Sequence, residues 1–413
     1  MKLKTHTTVI LGLMSLWASQ ACKQIHLAAI NQYACIDDNR LSNDLCELYN
    51  QGHIVGFSVA MANGNGPLYT KGFGYADIKT GDSYTENTIQ NIASISKTLI
   101  GVALLKAQEL GKLHLDDPIN NYLPFKIVNP NFPEEKITIR HLSNHTSGIK
   151  DVVRYELNGY ILKDKKNPAS KRNINFRSPN KMLPMEVFFE RLLSDQGKWY
   201  KKNNFYDTKA GTKFKYSNIG AALAAFVLEK ATETTFVDFT EEHIFKPLGM
   251  KNTGWSFDAI DLMDHSTLYN KRQKELALYS LITYPDGGLR TSAINMGKYI
   301  SELIKGYNSN GTLLSIKSYS ELFKSNLSNT HFEERDTDNP FNDEYDMGVF
   351  IGLSPKEYIG HTGSDPGVAS MMFFNKETNV GYYLIVNTDL KEPGIQELFA
   401  IWNTLLAYSE KLI

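Results

Sequence analysis

The 413-residue chain sets 44 Lys and Arg against 45 Asp and Glu, a formal net charge of −1, and is 42% hydrophobic. That balance offers no electrostatic footprint for nucleic acid, and the apolar share is enough for a sizeable globular core. The basic stretch from Lys163 to Arg177 reads as a solvated loop, not a binding patch.

Lys2 and Lys4 precede an apolar run from about Val9 to Trp17. The run is too short to span a bilayer, so residues 1–22 read as a secretory signal peptide. Small residues lead to Ala21-Cys22, although Gln20 interrupts them. Cys22 is a candidate for lipidation; ordinary cleavage beside an incidental cysteine is the other reading. Cys35 and Cys46 can then pair as a disulfide in an oxidising compartment or remain two thiols. Residues 23–44 read as a tether and 45–413 as the folded domain.

A hairpin pattern follows. Ile54 to Met61 is strand-like, Asn63-Gly64-Asn65-Gly66 supplies the turn, and Leu68 to Tyr75 returns. From Ser94 to about Leu327 the chain reads as mainly helical with long polar loops. Helices are expected at 220–230 and at 236–248, the latter ending at Gly249. Strand signals resume at 347–352, 358–361, 368–374 and 380–387, and a last helix is expected at 395–406. Strands from both chain ends most simply form one antiparallel sheet. The expected fold is therefore α+β: a sheet of N- and C-terminal strands flanked by helices, with a large helical insertion and a cleft between two lobes.

Three short motifs stand in order: Ser94-Ile95-Ser96-Lys97, Tyr216-Ser217-Asn218 and His361-Thr362-Gly363. Ser-x-x-Lys also occurs at Ser147 and Ser178, and a second Thr-Gly tripeptide at Lys79-Thr80-Gly81. Context separates them. Ile95, Leu99, Val102 and Ala103 recur at helical spacing after Ser94, and Gly111 closes the segment. Residues three apart share a helix face, so Lys97 belongs beside the Ser94 hydroxyl. Ser147 sits in a Ser-Gly turn, Ser178 precedes Pro179, and Lys79 lies in a turn-rich connector. A serine nucleophile needs a base within hydrogen-bond reach, and a lysine meets that need if burial or nearby cations lower its pKa.

With these motifs, Leu142 to Gly148, Pro247-Leu248-Gly249-Met250 and Pro285-Asp286-Gly287-Gly288-Leu289 resemble recurring segments of the serine β-lactamase and penicillin-binding-protein superfamily. The similarity spans about residues 45–410 and is nearest the class C β-lactamase-like branch, which includes DD-peptidases, esterases and D-aminopeptidases. The resemblance implies an acyl-enzyme on Ser94, with Lys97 as base and Tyr216 as proton shuttle to the leaving group. Asn218 would hold Lys97 and the substrate amide. Thr362 would bind a substrate carboxylate or ester, and His361 would supply positive potential or relay a proton. Gly363 completes the strand motif, and the backbone N–H groups of Ser94 and Ser364 would form the oxyanion hole. No cofactor and no metal are implied; the expected partner is a small-molecule or peptide substrate, in the bacterial envelope, periplasmic or anchored through Cys22. The histidine at 361 departs from the usual lysine and favours a DD-peptidase or esterase over an efficient β-lactamase. A slow-turnover penicillin-binding or peptide-sensing protein of the same fold is the competing expectation.

Other constellations are weaker. His141 and His145 have helical ligand spacing but no glutamate between them, and no Gly-x-Ser-x-Gly elbow is present. The acidic segment from Glu333 to Asp346 lacks calcium-loop spacing and reads as solvated.

Overall fold

Alternating apolar residues at the two ends of the chain meet in one eight-stranded sheet. The computed structural model describes residues 39–165 and 176–412. The strands are β1 (Gly56–Asn63), β2 (Gly66–Asp77), β3 (Asp82–Ser83), β4 (Asp346–Met347), β5 (Gly352–Leu353), β6 (Tyr358–Asp365), β7 (Val368–Asn375) and β8 (Val380–Val386). Their order is β3-β2-β1-β8-β7-β6-β5-β4, and each neighbouring pair is antiparallel. Strands from both ends therefore meet at the β1–β8 pairing, with Phe57 opposite Val386. The fold is α+β, with the mostly helical segment inserted between β3 and β4.

Five helices pack on the sheet or build the helical lobe: α1 (Arg40–Tyr49), α2 (Ser96–Glu109), α3 (Asn218–Thr232), α4 (Ala293–Tyr307) and α5 (Glu392–Leu412). Strand alternation sorts side chains between two cores. Phe57, Val59, Met61, Tyr382 and Leu384 pack with Leu41 and Leu45 of α1 and Ile401, Trp402 and Leu405 of α5. Ala60, Ala62, Tyr383 and Ile385 face α4 and the helical lobe. Every residue of α2 from Ser96 to Leu105 is buried. A helix apolar on all sides belongs inside a lobe. Gly101 makes that packing fit, because a Cβ there would lie 2.0 Å from the Val349 carbonyl oxygen.

The expected helix over 236–248 is broken. It runs as Phe236–Thr240, a π turn Glu241–Phe245 and a last turn Lys246–Leu248. Pro247 has no N–H for the carbonyl four residues back, and the ladder widens before it. Gly249 ends the segment with φ 59°. Within the stretch read as helices and long polar loops, the segment after Asp151 forms helices Val153–Gly159 and Met185–Leu193 and also a strand, Tyr160–Leu162, paired with Tyr279–Leu281. The signal segment, Cys22 and Cys35 lie outside the described residues. Cys46 is disulfide-bonded. Among the described residues no helix is long and apolar enough to cross a membrane.

One carboxyl ties α5 to the start of β1. Glu397 has no solvent exposure; one oxygen accepts from the His53 backbone N–H at 3.1 Å and the other has no partner. Burial raises its pKa from 4.5 to about 7. The group binds its proton more tightly folded than unfolded. Its contribution is complete below pH 4.5 and is lost as pH rises through about 7. Glu397→Gln should therefore raise the melting temperature by roughly 2–4 °C at pH 8 and change it little at pH 5. Thermal melts of the two proteins at both pH values check this; an equal shift at both would contradict it.

Candidate active site

Ser94 lies in the 3₁₀ turn Ala93–Ile95 that feeds α2. The turn is strained, because Ala93 holds φ at 51° without being glycine. Two bonds brace it: Ile92 N–H donates to Leu289 O at 2.9 Å, and Ser370 Oγ donates to Ile92 O at 2.9 Å. Lys97 follows one turn later. Its Nζ donates to Ser94 Oγ at 2.8 Å and to the Asp286 carbonyl at 2.6 Å. Lys97 has no solvent exposure, whereas Ser94 is partly open. Burial pushes the Lys97 pKa below its usual value, and Asp286, Asp151, Asp365 and Asp343 oppose that fall.

Tyr216 sits just before α3. Lys97 Nζ lies over its ring, 5.2 Å from the centroid. Burial raises the phenol well above pKa 10, and only a hydrogen bond with the Ser94 side chain draws it down. Burial therefore keeps Tyr216 a neutral phenol at pH 7. His145 stacks on the Tyr216 ring, with centroids 4.4 Å apart. Its Nδ1 accepts from the Ser217 N–H at 3.2 Å, which places the ring proton on Nε2. That nitrogen is buried without a partner. Burial lowers the His145 pKa well below 6.5 and keeps it neutral.

The Asn218 amide nitrogen is engaged by Asp151: it donates to Oδ2 at 2.8 Å. Asp151 also takes the Asn218 and Ile219 backbone N–H groups at 2.9 and 3.0 Å, and the Ser217 hydroxyl at 3.2 Å. One carboxylate thus caps the α3 N-terminus, where unpaired N–H groups favour negative charge.

The third motif lies on β6. Strand β5 pairs with β6 only at Ile359 and Gly360, so the edge from His361 onward faces the cleft. Gly363 lets this strand reach the Ser94 turn. A Cβ there would lie 2.4 Å from Ser370 Oγ and 2.7 Å from Ile92 O. Thr362 N–H leaves β6 on the free edge, where Asp343 Oδ2 accepts it at 2.6 Å. Ser364, two residues on and exposed, presents its N–H on that same edge by strand periodicity. The buried His361 holds Nδ1 2.6 Å from Thr362 O and 3.1 Å from Asp343 Oδ2. Two acceptors on Nδ1 place its proton there. Burial lowers the His361 pKa; Asp343 opposes this and Lys97 adds to it.

Residues that the sequence reading did not single out complete the wall. Tyr155 OH donates to Asp286 Oδ2 at 3.0 Å, and Tyr160 OH to Asp365 Oδ1 at 2.7 Å. Burial raises these carboxyls, Asp286 to about 7 and Asp365 to about 6. The segment expected to be solvated also reaches the site: Asp343 and Asp346 are buried, and desolvation and the Asp343 charge raise Glu344 to about 7. Asp346 anchors it by accepting from Leu327 N–H at 2.9 Å, and Arg335 Nε donates to Tyr345 O at 2.7 Å. His141, by contrast, closes a capping box with Thr138. Among the described residues no cluster of three or more His, Cys, Asp or Glu is placed to hold a metal ion.

A family model described as Beta-lactamase matches residues 41–405. The chain belongs to this family. It is 28% identical over 358 residues to PbpX of Bacillus subtilis (strain 168), covering 84% of this chain and 73% of that protein. The fold is similar to an octameric penicillin-binding protein homologue from Pyrococcus abyssi, with TM-score 0.66 and 24% identity over 90% of this chain and 78% of that one. It is also similar to a D-amino acid amidase from Ochrobactrum anthropi SV3, with TM-score 0.62 and 20% identity over 90% of this chain and 99% of that one. This is a serine hydrolase of the β-lactamase and penicillin-binding-protein superfamily.

Removing Asp151 strips four donors of their acceptor. Asp151→Ala should cost roughly 3 kcal/mol of stability, and Asp151→Asn, which keeps one acceptor oxygen, clearly less. Chemical denaturation of the three proteins measures this; equal stability would show that water replaces the carboxylate at no cost.

Proposed function

We propose that Ser94 is the acylated nucleophile of an envelope hydrolase acting on small esters and D-amino-acid amides or peptides, with β-lactams as poorer substrates. The observation that carries the reading is the 2.8 Å contact between Ser94 Oγ and a Lys97 with no solvent exposure. In the neutral form of Lys97 that contact runs the other way, from Ser94 O–H to Nζ. Ser94 Oγ then attacks the substrate carbonyl as Lys97 takes its proton. The N–H groups of Ser94 and Ser364 receive the developing oxyanion; losing one such donor typically costs about 3 kcal/mol. Tyr216 gives its hydroxyl proton to the departing nitrogen or oxygen and is reprotonated from Lys97. Water retraces the path and frees Ser94. The opposed pKa shifts support this division, since burial lowers Lys97 and raises Tyr216. Asn218, through Asp151, orients the α3 end of the cleft. The D-amino-acid preference is drawn from the D-amino acid amidase neighbour, and the envelope location from the N-terminal sequence with Cys22.

A fluorophosphonate serine probe should add one adduct to the wild-type protein. Peptide mapping should place it on Ser94, and Ser94→Ala should abolish it. An adduct on Ser147 or Ser178 would defeat the assignment, and acylation by a penicillin without turnover of any ester or amide would favour a binding protein.

His361 sets the pH behaviour. Its pKa lies below 6.5, so it is neutral at pH 7 and regains charge only as pH falls through that lower value. Glu344 and Asp286, raised to about 7, gain charge over the same range. The ratio of kcat/KM for a carboxylate-bearing ester to that for its neutral analogue is therefore compared between wild type and His361→Gln. The two ratios should run parallel above about pH 7, and the wild-type ratio should rise above the variant's only below pH 6.5. Taking the ratio cancels the titration of Lys97 and Tyr216. A wild-type ratio that falls away from the variant's between pH 7 and 8.5 would mean a charged His361 at neutral pH.

A further inference from the structure

The donors of the third motif already hold an anion, and it belongs to the protein. Asp343 Oδ2 accepts from Thr362 N–H at 2.6 Å and from Thr362 Oγ1 at 2.9 Å, and lies 3.1 Å from His361 Nδ1. The carboxylate is seated. A Cβ on Gly352 would lie 2.4 Å from the Asp343 carbonyl oxygen, so the absent side chain is what admits this backbone. Beyond it, Asp346 and Arg335 fix the segment, and Arg335 stacks on Tyr345 with its guanidinium carbon 3.8 Å from the ring centroid. Glu344 is the next residue, and its side chain is open to solvent. Lys97 and His361 act electrostatically on this segment, and Asp286 and Asp365 act on Lys97 as well.

We infer that Asp343 is a specificity residue: an internal carboxylate that fills the anion-binding position of the third motif and directs the site toward substrates that are neutral or cationic there. The inference rests on the reading of Ser94 as nucleophile. A substrate carboxylate would have to displace Asp343 from three donors or lie against it. Like charges a few ångströms apart in a partly desolvated cleft cost several kcal/mol. A neutral ester or amide meets no such repulsion, and an amine would be attracted.

The test compares two reversible serine-directed probes, phenylboronic acid and 3-carboxyphenylboronic acid, as inhibitors of ester hydrolysis at pH 7.5. Wild-type protein should bind the uncharged boronate at least about tenfold more tightly, a gap of about 1.4 kcal/mol. Asp343→Ala and Asp343→Asn should each shift the ratio of inhibition constants by about tenfold or more toward the carboxylated probe. Asn keeps an acceptor for Thr362 N–H and removes only the charge, so it holds the test open if the alanine variant misfolds. A wild-type protein that prefers the carboxylated boronate, or a gap that persists unchanged in both variants, overturns the inference alone. Failure of both boronates to bind, together with an unlabelled Ser94, would overturn the nucleophile assignment as well.

Discussion

The amine of Lys97 has no solvent exposure, and the cleft is built to keep that tolerable. Isolated burial of a charge is expensive, and the usual escape is a shifted pKa. Here the Ser94 hydroxyl and the Asp286 carbonyl take hydrogen bonds from it, while Asp286, Asp151, Asp365 and Asp343 oppose its deprotonation. Desolvation still leads, and the amine is brought toward the range where it can exchange a proton. The same burial raises Asp286 to about 7 and Asp365 to about 6, so these carboxyls soften rather than lock the positive charge. Each is tethered by a tyrosine hydroxyl that keeps it in place while its charge varies.

Such a site needs its two lobes brought to contact distance, and small residues do this. Gly363 lets β6 touch the Ser94 turn, and Gly101 lets α2 sit against the Val349 carbonyl. The strained Ala93 is held by bonds from both lobes: Ile92 N–H reaches Leu289, and Ser370 of β7 reaches Ile92 O. Asp151 performs the matching task for the Tyr216 segment by gathering the start of α3.

Much of this was legible because it depends on local pattern. Strand alternation marked both halves of the sheet, and Ser94 and Lys97 share a face because a helix repeats every 3.6 residues. The rest depends on contacts between distant segments that no window contains. Asn218 was assigned to Lys97 but turns to Asp151, 67 residues earlier. Asp343 stood in an acidic stretch whose composition reads as solvent-exposed; its burial follows from donors on Thr362, 19 residues later. The break at the Glu241–Phe245 π turn had a visible cause in Pro247, and the pattern of apolar residues ran straight through it.

The pairing of β1 with β8 also fixes the order in which the protein can be made. Phe57 lies opposite Val386, 386 − 57 = 329 positions apart. At ribosomal rates of about 5–20 residues per second, β1 leaves the ribosome roughly 15–65 s before its partner exists. Over that interval the backbone edge of β1 has no partner strand, and the face of Phe57, Val59 and Met61 has only α1 to cover it. The sheet closes only after the helical lobe has been synthesised, so the nascent chain carries a sticky half-sheet through most of its own synthesis. A fold of such high contact order relies on slow, late closure and on whatever keeps that edge from pairing with a neighbour.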